Sequence, residues 1–383
     1  MTSLPAPQAA LPQAALAAAR PPGLILSAYA AAPAIDSWRP AEEAAYLRAV
    51  GSLPHVAGLE VPLYGGSGSG ETLPGGALHK VLHKYDGGWF LRTVRYLPPH
   101  LTFTITTIPD TMDRLSQQPA FGLASQDPEG RQAALAAVFR AAEAVRSLND
   151  ALGRPAVRAV HLFSAPRPSA DVSAAGVSAR RVSASALGAS LAELAGYAWD
   201  GARPVLEHCD AAIGTGPWIK GFLPIEAEID AIRAADAGVG LAVNWARSAI
   251  EQQDVSAPIR HLNLANDSGV LAGAVLSGCS PVDTAFGRAW DDTHLPPAQV
   301  EPKSLLTADR IRQFALAAGA EVPSGRGLSR SYRGPYRGLK VSAPRGATVE
   351  QRIAVVSGSI AAVREAEFLG LSPLQLSAET RRP

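Results

Sequence analysis

The sequence predicts an α/β protein folded as a single (β/α)8 barrel, and three observations carry that reading. From Leu24 onward, short apolar runs alternate with Ala-rich or amphipathic stretches, the order of elements that builds a parallel sheet. The runs are nearly continuous in apolar character, as strands covered on both faces must be. They number eight: Leu24–Ala30, Gly58–Tyr64, Leu101–Ile108, Val157–Ser164, Pro204–His208, Val239–Asn244, Val270–Ser277 and Gly338–Ser342. A length of 383 residues suits one such barrel with insertions.

The stretches between the runs carry readable helix ends. Asp127-Pro128 is an N-cap followed by proline at the first helical position, and the Ala-rich helix it opens runs to about Asn149, closed by Gly153 and Pro155. Thr348 and Gln351 have capping-box spacing and open a last helix toward Glu367. Ser256-Ala-Pro258 opens a helix with Ile259, Leu262 and Ala265 on one face, ended by Gly269. That placement puts His261 outside the barrel, in a surface or packing role. Three long loops, 65–88, 165–180 and 278–304, follow strands two, four and seven. In a barrel all three lie on the C-terminal face, where sites are built. The Gly-rich segment at 65–70 is followed by Pro74, Gly75 and Gly76 rather than by a helix, so it reads as a linker and not as a phosphate cradle. His79 and His83, flanked by Lys80 and Lys84, read as a solvated helix face. Residues 1–22 read as a disordered Ala/Pro-rich tail, residues 23–370 as the barrel domain and 371–383 as a C-terminal tail.

Composition excludes several function classes. Hydrophobic residues make up 47%, enough for a large core, while lysine and arginine balance the acids to a net charge of +1. No basic block is present of the kind that neutralises nucleic-acid phosphates, and no apolar run reaches membrane-spanning length. The two cysteines, Cys209 and Cys279, are expected as free thiols in a cytoplasmic protein, since a chain this long and cysteine-poor is no disulfide scaffold. The expected partner is a small molecule, and homo-oligomerisation is left open.

The candidates for chemistry sit at strand ends. Glu207, His208, Cys209 and Asp210 close strand five; alternation puts Glu207 and Cys209 on one side, His208 on the other. Glu207 is a candidate base or metal ligand, His208 a candidate acid–base partner and Asp210 a candidate ligand. Glu60 inside strand two and Lys340 in strand eight are buried charges that need partners. They satisfy each other as an ion pair, act on substrate, or, for a lysine of lowered pKa, form a Schiff base. Asn244, Trp245 and Arg247 end strand six; an amide, an aromatic plate and a guanidinium suit a polyhydroxylated or anionic ligand. Tyr29, near the end of strand one, joins them as a candidate substrate contact. Asp292 and His294, in the loop after strand seven, are candidate metal ligands, and His294 is also a candidate acid–base group.

Several ordered motifs together resemble a known family. Thr106-Thr-Ile-Pro109, Phe121-Gly-Leu-Ala-Ser125, Leu206-Glu-His-Cys-Asp210, Lys220-Gly-Phe-Leu-Pro224, Asn244-Trp-Ala-Arg-Ser-Ala-Ile-Glu251 and Glu301-Pro-Lys-Ser-Leu-Leu-Thr307 are similar to the bacterial family catalogued as domain of unknown function 4862. The likeness runs from about Leu24 to the last helix. It implies membership of the xylose-isomerase-like barrels, which include sugar isomerases, epimerases and metal-dependent endonucleases. That superfamily usually places acidic and histidine metal ligands at the ends of strands five to eight. Here those ends carry Glu207, Asn244, Ser277 and Lys340, a departure at three of the four. A divalent metal (Mn, Zn or Mg) held by Glu207, Asp210, Asp292 and His294 is therefore one expectation, and a metal-free site the other.

The function expected on these grounds is sugar isomerisation or epimerisation by proton transfer next to a carbonyl. Glu207 is the expected base, His208 or His294 the second acid–base group, and Lys340 or a metal the enolate stabiliser. The alternatives are a Schiff-base lyase using Lys340, a glycoside hydrolase using Glu60 and Glu207, and a non-catalytic sugar-binding protein.

Overall fold

A computed structural model describes residues 23–65, 82–168, 174–213, 218–319 and 335–368. Its centre is a closed barrel of eight strands, each hydrogen-bonded to the next and the eighth to the first. The strands are β1 (Leu24–Ser27), β2 (Val56–Pro62), β3 (Thr102–Thr106), β4 (Val157–Leu162), β5 (Arg203–Glu207), β6 (Gly240–Asn244), β7 (Leu271–Leu276) and β8 (Tyr336–Leu339). All pairings are parallel. Each of the eight apolar runs overlaps a strand; β2, β5 and β8 begin before their runs, at Val56, Arg203 and Tyr336, and β8 shares only Gly338 and Leu339 with its run, while several runs continue into the loop that leaves the barrel.

The surrounding helices are α1 (Pro40–Gly51), α2 (Gly87–Thr93), α3 (Ile108–Gln117), α4 (Pro128–Leu152), α5 (Ala174–Glu193), α6 (Ile225–Ala235), α7 (Trp245–Glu251), α8 (Ala257–Asp267), α9 (Ala308–Ala317) and α10 (Val349–Phe368). The caps read from sequence for α4 and α10 are present. Asp127 accepts from the amides of Glu129 and Gly130, and Gly153 closes α4 in the left-handed conformation at φ 65°. Thr348 and Gln351 exchange the two capping-box bonds, at 2.9 and 3.3 Å. Ser256 precedes α8, but its hydroxyl turns back to Asp254 instead of capping the helix.

Some expectations are corrected. The segment 165–180 is not loop throughout, because α5 begins at Ala174. His83 is not solvated: it is buried, with Nε2 3.2 Å from Glu43, and its ring lies among Trp38, Tyr85, Trp89 and Phe90. His79, Lys80, the glycines at 66–70 and both tails lie outside the described residues. His261 is buried on α8, so the expected surface role is corrected. The loop after β7 is irregular as expected, and Gly278 bridges to Leu295 at its base. No described helix is long and apolar enough to cross a membrane.

Candidate functional site

Five side chains from four strands meet inside the barrel. Lys340, just past β8, donates to Glu60 of β2 at 2.9 Å and lies 3.9 Å from Glu207 of β5. Glu207 Oε2 is 3.3 Å from His161 Nδ1 on β4, and the other ring nitrogen of His161 bonds the Tyr336 hydroxyl on β8. Tyr336 fits there because its neighbour on β7 is Gly273, where a Cβ would come 2.3 Å from the ring. Burial pushes Lys340 toward its neutral form, but Glu207 and Glu60 beside it hold its pKa well above the ordinary lysine value. Of the alternatives open for Lys340, the ion pair with Glu60 is the one present, and it favours the ammonium over a nucleophilic amine.

A second group caps the first. Asn244 ends β6 as the N-cap of α7, accepting from the Arg247 amide while its side-chain amide donates to Glu207 at 3.1 Å. The same cap brings the Arg247 guanidinium inward, 2.9 Å from Glu207 and 3.2 Å from Asp292, with its centre 5.6 Å from the Phe163 ring. Asp292 also receives Lys220 at 2.5 Å and lies 3.1 Å from His294 Nδ1, which the Ser277 hydroxyl meets at 3.2 Å. Burial pushes both carboxylates up. Arg247 and then Lys340 nevertheless pull Glu207 well below the carboxylate range, and His294, Lys220 and Arg247 do the same to Asp292. Burial keeps His294 below the ordinary histidine value, so it is neutral at neutral pH. Its side chain is 15% exposed, against 7% or less for Asp292, Lys220, Arg247, Glu207, Glu60 and Lys340. Among these titrating groups His294 is thus the one nearest solvent. Half-buried Tyr29 puts its ring 5.4 Å from Lys340 Nζ and also lines a cavity of about 200 Å³ at the ends of β1 and β2.

Three sequence candidates fall outside this group. His208 faces away from the barrel, between Glu228 and Glu251. Asp210 spends both oxygens on the amides of Ile219, Lys220 and Gly221, so it shapes the loop after β5. Trp245 is 1% exposed in the main core and offers no plate to a ligand. Conversely, sequence reading missed His161, Tyr336 and Lys220. For His161 a signal existed: it interrupts the apolar run Val157–Ser164 two residues after Ala159, on the same strand face. Lys220, although it opens one of the motifs that carry the family resemblance, and Tyr336 are placed by contacts distant in sequence that no local pattern states.

The expected metal set does not fit. A divalent ion needs free donors, yet Glu207 is paired with Arg247 and Lys340, Asp292 with Lys220 and Arg247, and Asp210 is saturated by backbone amides. Three cations already stand where the ion's charge would go.

Comparison with known proteins agrees with this architecture. The model of a family described as domain of unknown function 4862 matches residues 25–355. The chain belongs to that family. An uncharacterized protein of Salmonella typhimurium is 33% identical over 301 residues, covering 78% of this chain and 86% of the relative. Among solved structures, a candidate xylose isomerase from Rhodospirillum rubrum is similar with a TM-score of 0.56 at 13% identity, covering 90% of this chain and 98% of the other. D-allulose 3-epimerase from Methylomonas sp., in complex with D-allulose, is similar with a TM-score of 0.50 at 13% identity, with coverages of 90% and 98%. At such identities these neighbours share only the eight-stranded βα barrel fold with this chain, and fold alone does not carry function.

Proposed function

We propose that the protein is an enzyme acting on a small polyhydroxylated carbonyl compound, a sugar or sugar derivative, which it isomerises or epimerises by moving a proton on the carbon next to the carbonyl. One observation carries this reading. Four buried polar atoms of this one group, His161 Nδ1, Glu207 Oε2, Arg247 Nη1 and Asp292 Oδ1, make ion-pair contacts with Glu207, His161 or His294 but no well-aligned hydrogen bond. Folded interiors leave few such atoms, and this mixture of donors and acceptors suits hydroxyls, which do both. The epimerase and isomerase names among the fold neighbours lend the substrate class by analogy.

In this reading His294 is the base, since it is neutral, reachable from solvent and oriented by Asp292 and Ser277. Glu207, which the sequence suggested as base, is a weak one because its neighbours stabilise its ionised form; it positions Arg247 and Lys340 instead. Those two cations stabilise the developing enolate oxygen in a water-poor site. Asn244 and Tyr29 orient the substrate.

The test is to incubate the protein with a panel of sugars and sugar phosphates in D2O and follow the carbon-bound protons by NMR. Deuterium should enter next to the carbonyl of a substrate, with isomer or epimer formed. His294→Asn should lower kcat by about 10²- to 10⁴-fold with little change in KM. Binding without exchange for every compound would instead make this a sugar-binding protein. Borohydride trapping should give no adduct at Lys340, because an ammonium held between two carboxylates is no nucleophile.

A further inference from the structure

Behind the strand that carries Glu207 lies a second buried cluster that the proposed reaction does not use. His208 faces outward from the end of β5 and Glu251 ends α7, while His261 lies on α8. Their side chains are 0%, 3% and 6% exposed. One ligand atom from each, the two imidazole nitrogens and a carboxylate oxygen, lie within 4.8 Å of one another. His208 Nε2 lies 3.1 Å from Glu251 Oε2, which also accepts from the Ala211 amide, and His261 Nε2 lies 3.8 Å from the other oxygen, Oε1. Each contact is close to the separation of about 3.4 Å between ligands of a tetrahedral ion bound at about 2.0–2.1 Å.

Two further features point to an ion. Both imidazoles have the other ring nitrogen held from behind: His208 Nδ1 is 2.7 Å from Glu228, and His261 Nδ1 is 3.0 Å from the Ser248 hydroxyl. That arrangement fixes the ring and its tautomer, as partners behind metal-bound histidines do. The second feature is charge. Glu228 and Glu251 bring two negative charges into the interior, and among the described residues no lysine or arginine pairs with either. With one imidazole protonated the cluster stays negative, and protonating both sets two cations against each other, with ring centres 5.0 Å apart. A divalent cation with two neutral imidazoles balances the charge.

We infer that His208, Glu251 and His261 form a site for a divalent transition-metal ion of the zinc class, backed by Glu228 and Ser248 and separate from the barrel interior. Two nitrogens and one oxygen are a donor set for zinc-like ions rather than for magnesium or calcium. The ion would clip the end of β5 to α7 and α8. Because α7 also carries Arg247 and starts at Asn244, the clip would brace the wall of the site from outside.

The experiment uses the full chain, freed of any purification tag and grown in zinc-supplemented medium. Elemental analysis should find about one zinc per chain, and zinc added after chelator treatment should raise Tm. His261→Gln should lose at least about 100-fold in zinc affinity. Ser248→Ala, a gentler change, should lose about 10- to 100-fold. X-ray absorption should show two imidazole nitrogens on the metal. Asp292→Asn, in the barrel interior, should keep the zinc. Absence of metal together with no Tm response to zinc would overturn the site, leaving a hydrogen-bonded cluster only. Loss of zinc in Asp292→Asn with retention in His261→Gln would also overturn it, by moving the ion into the barrel. Metal content and Tm are independent of turnover, so failure here leaves the isomerase reading untouched, and the reverse holds too.

Discussion

Lys340 keeps its charge at 0% exposure because two carboxylates are within reach. Lys340→Met should destabilise the fold by about 3–5 kcal/mol, since it strands Glu60 without its cation. Adding Glu60→Gln should recover part of that loss in urea denaturation; costs that simply add would show that the two side chains do not act as a pair. The cysteines are the opposite case: desolvation outweighs the nearby cations that favour the thiolate, Arg247 and Lys220 near Cys209 and Arg310 near Cys279. Burial pushes both thiols up to about 12. Ellman's reagent should therefore label neither in the native protein at pH 8 and both in denaturant. The sign of the His294 shift also makes a prediction. A base with a lowered pKa stays active as pH falls through the ordinary histidine value near 6.5, and the rate drops only below it. Asp292 pulls that pKa upward, so Asp292→Asn should move the acidic limb of the pH–rate profile to still lower pH. A shift the other way would remove His294 as the base.

At the scale of elements, legibility in the sequence follows how local the determining contact is. The caps of α4 and α10 rest on residues two to four apart, and both were readable. Thr348→Ala should cost about 1 kcal/mol in thermal or urea unfolding, the usual value for losing an N-cap side chain. Gly153→Ala should cost about 1–2 kcal/mol from its left-handed backbone alone, since an added Cβ would touch nothing within 4 Å. Strand β5 shows where legibility stops. Alternation separated Glu207 from His208, but which one faces inward depends on pairing with β4 and β6, and no local pattern states that. Tyr336 reaches His161 only because Gly273 on a different strand leaves it room. Trp245 went wrong for a related reason: one step past Asn244 the chain turns into α7, which carries the indole into the core and brings Arg247 inward.

For the whole molecule, closure of the barrel is the step that joins the two ends of the chain. The seam is short: β1 and β8 have four residues each and share two register pairs, Ile25 with Gly338 and Leu26 with Leu339. Backbone pairing this brief needs support from side chains. Part of it comes from Lys340 and Glu60, which reach across β1 from β8 to β2. The rest comes from Arg352 of α10, 2% exposed, which donates to the carbonyls of Ala31 and Ala32 at 3.1 and 3.2 Å and pairs with Asp36. One guanidinium thus ties the last helix to the loop that leaves the first strand. Replacing it with leucine keeps apolar bulk but removes its bonds to the Ala31, Ala32 and Ala347 carbonyls and its pairing with Asp36, a loss of about 2–4 kcal/mol by the usual cost of unmade buried bonds. The loss should be local before it is global, because the other seven strand pairings do not involve Arg352. Hydrogen–deuterium exchange of Arg352→Leu should show amides of β1, β8 and the 28–36 loop opening first, with β4 to β6 protected as in the wild type. Uniformly faster exchange around the barrel would show instead that the seam is no weaker than the rest of the sheet.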